Sequence, residues 1–205
     1  SITPEIDARM NARVGLQPPG DTPATIIFPL RRQVEEYNDQ KMMQLKTDTE
    51  TFTATQGANP SCSQAQRRFL LNNLIKYAPM DRVLDLKVGA RVMHTCNNKQ
   101  TNKVNGSLGV VIRFEEETNH PVVKFADGTE HVVYRQVWTT HCRKASVTQY
   151  PLVVAWAITI HKAQGATLDA AIVDLGCNVF EYNQAYTAVS RVRKLKNLFL
   201  VAWDK

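Results

Sequence analysis

Nine consecutive residues, Thr159-Ile160-His161-Lys162-Ala163-Gln164-Gly165-Ala166-Thr167, carry the densest chemistry in the chain. They set hydroxyl, imidazole, ammonium and amide groups just past an apolar run. In open α/β sheets, ligands bind beyond the carboxyl ends of the strands. Lys162 and the hydroxyls suit phosphates, and Gly165 lets the backbone come close to a ligand. The plainer reading is a strand-to-helix turn with incidental polar residues.

A second string, Gln184-Ala185-Tyr186-Thr187-Ala188-Val189-Ser190-Arg191-Val192-Arg193, reads as a helix. Tyr182, Ala185, Tyr186 and Val189 form its expected core stripe. Gln184, Thr187, Ala188 and Arg191 fall on another face at i, i+3, i+4, i+7. Small residues around an arginine would let its guanidinium reach a neighbouring surface, where an arginine can serve a phosphoryl group across a domain interface. The plainer alternative is a solvated helix end, at which cations favour the carboxyl-terminal dipole. Arg193, Lys194 and Lys196 fit that alternative.

These groups need supports, and the hydrophobic pattern supplies them. Thr25–Leu30 is a short β-rich run, and Arg31–Lys46 places Leu30, Val34, Tyr37 and Leu45 at helical spacing. Thr47–Gln66 is dominated by polar and small residues and is expected to be a mobile loop. Arg67–Ala78 is helical up to Pro79. Leu108, Val110, Ile112 and Phe114 alternate as in a half-buried strand, and Asp127-Gly128 marks a hairpin. Several short strands here suggest a small antiparallel barrel. Pro151–Ile160 is almost wholly apolar, as in a strand buried on both faces of a parallel sheet. A strand at Ala170–Leu175, a helix at Glu181–Val192 and a strand at Leu198–Trp203 follow. The expected architecture is α/β with a small β-barrel insertion.

Composition narrows the classes. With 43% hydrophobic residues among 205, the chain can build a core, which excludes wholesale disorder. Lysine and arginine number 25 against 19 acids, a net charge of +6 that permits an anionic partner. Over Leu86–Lys144 there are nine cations and five acids, so much of the excess lies on the expected barrel. Lys99, Lys103 and Arg113 are the candidate backbone contacts there. Trp138, Tyr134 and Phe114 could stack bases, although strand aromatics are more often core. The longest apolar run, Leu152–Ile158, is far short of the ~20 residues that cross a bilayer, and the first residues lack the parts of a signal peptide. Neither membrane insertion nor secretion is expected. Cys62, Cys96, Cys142 and Cys177 are widely spaced, which suits a reducing compartment. His94 with Cys96 and His141 with Cys142 could supply four zinc ligands, but neither pair has the usual spacing, so no metal site is expected. The chain has no G-x-x-x-x-G-K-[ST] phosphate loop and no G-x-G-x-x-G fingerprint. It opens on Ser1, and it is expected to be a processed product or a piece of a longer protein.

Taken together, TIHKAQGATLD, VDLG and QAYTAVSRVRKLKNLFL resemble the last two motifs of the Pif-type and RecD-like DNA helicases of superfamily 1. LKVGARVMHTCNN and VNGSLGVVIRF resemble the stretch leading into that family's inserted barrel, and FPLRRQVEEYND its fourth motif. The resemblance spans roughly Thr25–Lys46 and Leu86–Trp203. It implies a RecA-like parallel sheet with helices on both faces, over 1–90 and 150–205, interrupted by a small barrel of the Src-homology type over 91–149. It implies an ATP-dependent helicase that translocates on single-stranded DNA and unwinds duplexes in replication or repair. Arg191 matches the arginine finger. Gln164, Gly165 and Thr167 match positions near the nucleotide, with Arg31 and Arg32 beside the fourth motif. Thr159, His161 and Lys162 match positions that touch DNA. ATP and Mg2+ would be held mainly by the family's first RecA-like domain, which is not within this chain, so the chain alone is expected to hydrolyse no ATP. A monomer in a nuclear, mitochondrial or viral setting is expected. The alternatives are a stand-alone nucleic-acid-binding module without catalysis and, third, a small-molecule α/β enzyme, for which no nucleophile–base pair is evident.

Overall fold

The computed structural model describes residues 3–19, 24–99, 101–175 and 182–203. The chain opens with α1 (Pro4–Asn11), β1 (Thr25–Phe28) and α2 (Arg31–Gln44). Then come β2 (Glu50–Thr53), β3 (Thr55–Ala58), α3 (Gln64–Tyr77), β4 (Val83–Leu86), β5 (Arg91–His94) and β6 (Leu108–Phe114). β7 (Pro121–Phe125), β8 (Glu130–Val132), β9 (Gln136–Thr139), β10 (Ala145–Gln149) and β11 (Leu152–Val154) complete the middle. The last stretch gives β12 (Ala157–Thr159), α4 (Ile160–Ala163), β13 (Ala171–Leu175), α5 (Tyr182–Val189) and β14 (Leu198–Trp203). Two compact units result, one from residues 1–44, 105–107 and 154–205, the other from 45–104 and 108–153.

The first unit holds a parallel sheet in the order β12-β1-β13-β14. Its register aligns Ile158, Ile27, Val173 and Leu200, all nearly inaccessible, so neighbouring apolar strands share one buried row. The apolar run at Pro151–Ile160 is not one strand. β11 joins a sheet of the second unit, and only β12 enters the parallel sheet. The break has a cause in buried polar side chains. Asn38, on the inner face of α2, accepts from Ala157 N (2.8 Å) and donates to Ala157 O (2.9 Å). Thr25 donates to Ala155 O (3.3 Å). Side chains thus satisfy backbone groups that a continuous ladder would otherwise have to pair. At the other end of the unit, α1 is capped by Thr3 with Pro4 at its first position, and Asp7 accepts from Trp203 Nε1 at 2.9 Å.

In the second unit, β5, β6, β7 and β8 pair antiparallel with β11 beside β5, while β3-β10-β9 and β2-β4 form two further antiparallel sheets. Helix α3 packs Leu71, and partly buried Leu70, Leu74 and Ile75, on Ala145 and Val147 of β10. The segment Thr47–Gln66 is therefore no long loop. It contains β2, β3 and the start of α3, leaving only a short turn before the Ser63 cap. Polar composition misled because pairing with distant strands outweighs it. Phe52 anchors β2 in ring contact with Phe114 (6.0 Å) and Tyr150 (4.9 Å). For the same reason this unit begins at Leu45, well ahead of residue 91. The expected helix at Glu181–Val192 is shorter, Tyr182–Val189, and Glu181 lies outside the described residues. Its inner face also differs from the expected stripe. Tyr186 is 73% exposed and Ala188 is fully buried, because the small residue allows the closer approach.

Candidate functional site

β12 ends on Thr159, which also caps α4: its backbone is extended and its hydroxyl accepts from Lys162 N at 3.2 Å. Ile160 and Ala163 are buried and pin the short helix, leaving His161 and Lys162 exposed. Gln164 closes α4, and Gly165 turns the chain at φ +77°, a conformation that glycine adopts without strain. Beyond it Ala166 and Leu168 are buried while Thr167 is exposed. Phe28 and Thr159 are register partners. Arg31 and Arg32 at the start of α2 therefore follow the same sheet edge as His161 and Lys162.

Arg191 lies just past α5. Its carbonyl accepts from Leu168 N at 2.9 Å, and Leu168 and Val192 form an isolated parallel bridge. The guanidinium is held from three sides, by Thr187 O on Nε (2.8 Å), Ser190 Oγ on Nη2 (2.7 Å) and Ala166 O on Nη1 (3.5 Å). Arginine has five N–H donors in a fixed plane, so one on each terminal nitrogen remains for an outside acceptor. A fork oriented in advance and always protonated suits charge that develops on a phosphoryl oxygen. Arg191 and the Gln164–Thr167 turn are thus brought together.

Gly106 is a positioning residue that the sequence reading missed. At φ +95°, the position of an added Cβ would lie 2.7 Å from Ala166 Cβ, 2.8 Å from Ala166 Cα and 3.0 Å from Thr167 N. Only glycine lets Asn105–Ser107 lie against the segment whose carbonyl holds Arg191. The Asn-Gly pair was visible, but it reads as an ordinary turn until Ala166 is seen behind it.

The remaining candidates are separate. Arg31 and Arg32 are exposed and engage Glu35 and Glu36, each at 2.7 Å. Lys99 is exposed on the loop after β5, and Arg113 is exposed near the end of β6, close in sequence to Glu115, Glu116 and Glu117. Lys103 does not face solvent. It is 4% exposed, its ammonium paired with Asp127, bonded to Thr129 Oγ1 (2.7 Å) and set 4.8 Å over the Phe125 ring. That commitment removes it from the surface contacts expected of it. Of the two pairs weighed for zinc, His94 is buried with Nδ1 donating to Cys96 O at 2.7 Å, and burial lowers its pKa. Cys142 sits exposed on the β9–β10 turn. Among the described residues no three His, Cys, Asp or Glu side chains gather to hold a metal. The fit to a nucleotide therefore rests on Arg191 and the glycine turn, with no residue here assigned to a magnesium ion. No helix among the described residues is long and apolar enough to cross a membrane.

No family model matches the chain. It is similar over its full length to solved structures of Pif1 helicases: the unliganded enzyme from Bacteroides (TM-score 0.78, 26% identity, 47% of that chain) and the Candida albicans enzyme (0.75, 27%, 51%). The fold is thus the mixed α/β fold of these helicase structures. Among sequence relatives, the human ATP-dependent DNA helicase PIF1 is 33% identical over 99% of this chain. The zebrafish (Danio rerio) protein of that name is 37% identical over 88%, and Bdellovibrio bacteriovorus Pif1 34% over 90%. The chain belongs to the Pif-type family of superfamily 1 helicases, and it spans 30%, 28% and 40% of those three relatives.

Proposed function

We propose that this chain is the second RecA-like domain, with its Src-homology-type barrel insertion, of an ATP-dependent DNA helicase. The observation that carries the reading is the anchored fork of Arg191 beside the Gln164–Thr167 turn. ATP, with its magnesium ion, supplies the phosphoryl group whose hydrolysis drives the motor. This chain's part is to present Arg191 to the developing charge and to hold single-stranded DNA through Thr159, His161 and Lys162. A solved Bacteroides Pif1 in complex with ADP-AlF4 and another bound to single-stranded DNA support both roles by likeness. Lys99 and Arg113 add exposed charge on the second unit.

The division of labour can be tested directly. Ordering the β- and γ-phosphates takes a phosphate loop and a metal-binding acid, and the 205 residues contain no such loop. The purified chain should bind single-stranded DNA weakly, with affinity that falls steeply as salt rises, and should hydrolyse no ATP with DNA and magnesium. ATP turnover by the pure chain would overturn the reading. Tight, salt-independent DNA binding, or none at any salt, would remove the DNA-holding role.

A further inference from the structure

The acids of this chain are unevenly placed. No Asp or Glu occurs in residues 51–80, and none in residues 131–168. At the chain's own frequency of 19 acids in 205 residues, the fifty residues 51–80 and 131–150 would carry four or five. The two runs are far apart in sequence, yet the fold joins them. β3 and α3 come from the first, β9 and β10 from the second, and together they form one layer: the β3-β10-β9 sheet with α3 packed on β10. The β9–β10 turn meets the turn before α3, with Asn59 N donating to Lys144 O at 2.8 Å. Pairing has thus built a carboxylate-free surface.

Its cations are Arg67, Arg68 and Lys76 on α3 and Arg143 and Lys144 on the turn. All five are exposed, and none has a carboxylate partner among the described residues. Arg135, the other Lys or Arg of residues 51–80 and 131–150, lies over the Tyr150 ring and donates to Thr53 O. Helix α3 spends Leu71, Leu74 and Ile75 on the core, so its opposite face is free of that duty. There Phe69 is 66% exposed; Tyr77, 75% exposed, ends the helix with the Lys76 ammonium 5.3 Å over its ring. A shallow open groove runs beside Phe69, lined by Gln64, Ala65, Arg68 and Asn72.

We propose that this face of α3, together with the β9–β10 turn, is a second binding surface for single-stranded DNA, distinct from the Thr159–Lys162 edge. Cations without any carboxylate fit a partner that is negative along its whole length, whereas protein surfaces carry both signs and are met by both. Exposed rings gain from unpaired bases, which offer a stacking face that a duplex keeps inside. Side-chain amides add donors and acceptors for base edges. The choice of DNA over RNA rests on the helicase reading above.

The test uses the 205-residue chain and labelled oligo(dT), read by fluorescence anisotropy across a salt series. Arg68→Glu with Lys76→Glu should weaken binding at least tenfold at low salt and flatten the log–log salt slope by about two. Phe69→Ala should weaken binding roughly fivefold or more with the slope unchanged, because stacking releases no counterions. Arg68→Lys should keep the wild-type slope. Iodouracil placed in the strand should photo-crosslink to the α3 peptide of the wild-type chain, a readout that needs no variant to fold. If the α3 variants bind normally and no α3 crosslink forms while Lys162→Ala weakens binding, this proposal falls and the helicase reading stands. If the α3 variants weaken binding and Lys162→Ala does not, this surface stands and the sheet-edge assignment falls. Tighter binding of oligo(U) or of duplex, or binding of a polyglutamate peptide with none of oligo(dT), would overturn the assignment to single-stranded DNA.

Discussion

The two units use their positive charge in opposite ways. In the first, Arg191 is fixed by Thr187, Ser190 and Ala166, so its direction is set before any ligand arrives. In the second, no hydrogen bond or carboxylate fixes the side chains of Arg67, Arg68, Lys76, Arg143 and Lys144 among the described residues, Lys76 resting only over the Tyr77 ring. In the reading proposed above they act by number over an acid-free layer. An anchored cation stabilises charge at one point, which chemistry requires. A loose set of cations suits an extended polyanion, which needs charge along its length rather than at one point. The difference predicts different tolerance: geometry should matter in the first unit and only charge in the second.

The largest effect should come from Arg191 in a full-length protein containing this chain. Arg191→Ala should lower DNA-stimulated ATP turnover by about 10³-fold or more, unless another step limits the motor, and should change DNA affinity little. Arg191→Lys should be nearly as poor, since one ammonium cannot reproduce the planar fork. By contrast, Arg68→Lys should be silent. Near-normal ATPase rates in Arg191→Ala would reduce that residue to a cation at a helix end and erase the contrast between the units. Lys162→Ala should weaken DNA binding more than it slows basal hydrolysis.

Gly106→Ala comes next. The added Cβ must push Ala166 and Thr167 away, and displacing the carbonyl that steadies Arg191 should cost roughly ten- to a hundredfold in ATP turnover. Gly128→Ala is the control, because it shares a positive φ (+84°) but has nothing within 4 Å of the new atom. Equal activity in the two variants would show that the close approach at Ala166 does not position the arginine.

How far these features can be read from the sequence depends on how local they are. His161, Lys162, Gly165 and Arg191 fall within two short strings that the fold leaves nearly intact, so residue types and spacing were enough to mark them as candidates, while the roles expected of them came from the family resemblance. The parallel strands β1, β13 and β14 were legible because their apolar runs are continuous. What failed was whatever depends on a distant partner. Thr47–Gln66 looked like a loop because the strands that pair with β2 and β3 lie about 30 and 90 residues onward in sequence. The break between β11 and β12 depends on Asn38, which periodicity treats only as a polar residue in a helix. The acid-free layer is invisible in either run alone. Lys103 counted as surface charge because nothing near it in sequence reveals Asp127 and Thr129.

Lys103, like Arg135, is engaged within the second unit rather than loose on its surface, and pH exposes its pairing. The Asp127 carboxylate accepts from the Lys103 ammonium and from Thr129 Oγ1 (2.6 Å) and N (3.1 Å), which holds it well below the usual carboxylate range. Its folded pKa is below the unfolded value of about 3.9. The stabilisation is therefore complete above about pH 4 and is lost as pH falls from there toward the folded pKa. Asp127→Asn should lower the melting temperature at neutral pH, because the buried ammonium loses its counter-charge, and should flatten the acid limb of the curve. Lys103→Met fills similar space without a charge and should melt near the wild type. Equal melting of Asp127→Asn and wild type would mean that Lys103 draws nothing from this pair and behaves as a surface cation.

The smallest effect is expected at Arg31 and Arg32. They sit at the sheet edge shared with His161 and Lys162, yet each is engaged to a glutamate four residues along an exposed helix face. Such exposed pairs contribute little to stability, so the double replacement by alanine should leave the melting temperature unmoved. What remains is their place in the comparison between fixed and loose cations. If the glutamates merely hold them in solvent, ATP affinity and DNA affinity in the full-length protein should both stay near wild type. If a bound nucleotide draws one of them off its glutamate, the KM for ATP should rise severalfold while kcat stays constant, and Glu35→Gln with Glu36→Gln should shift KM the other way. That opposite pair of shifts would assign the arginines to the anchored set with Arg191, because a field contribution would follow charge in DNA binding as well and would show in the salt slope.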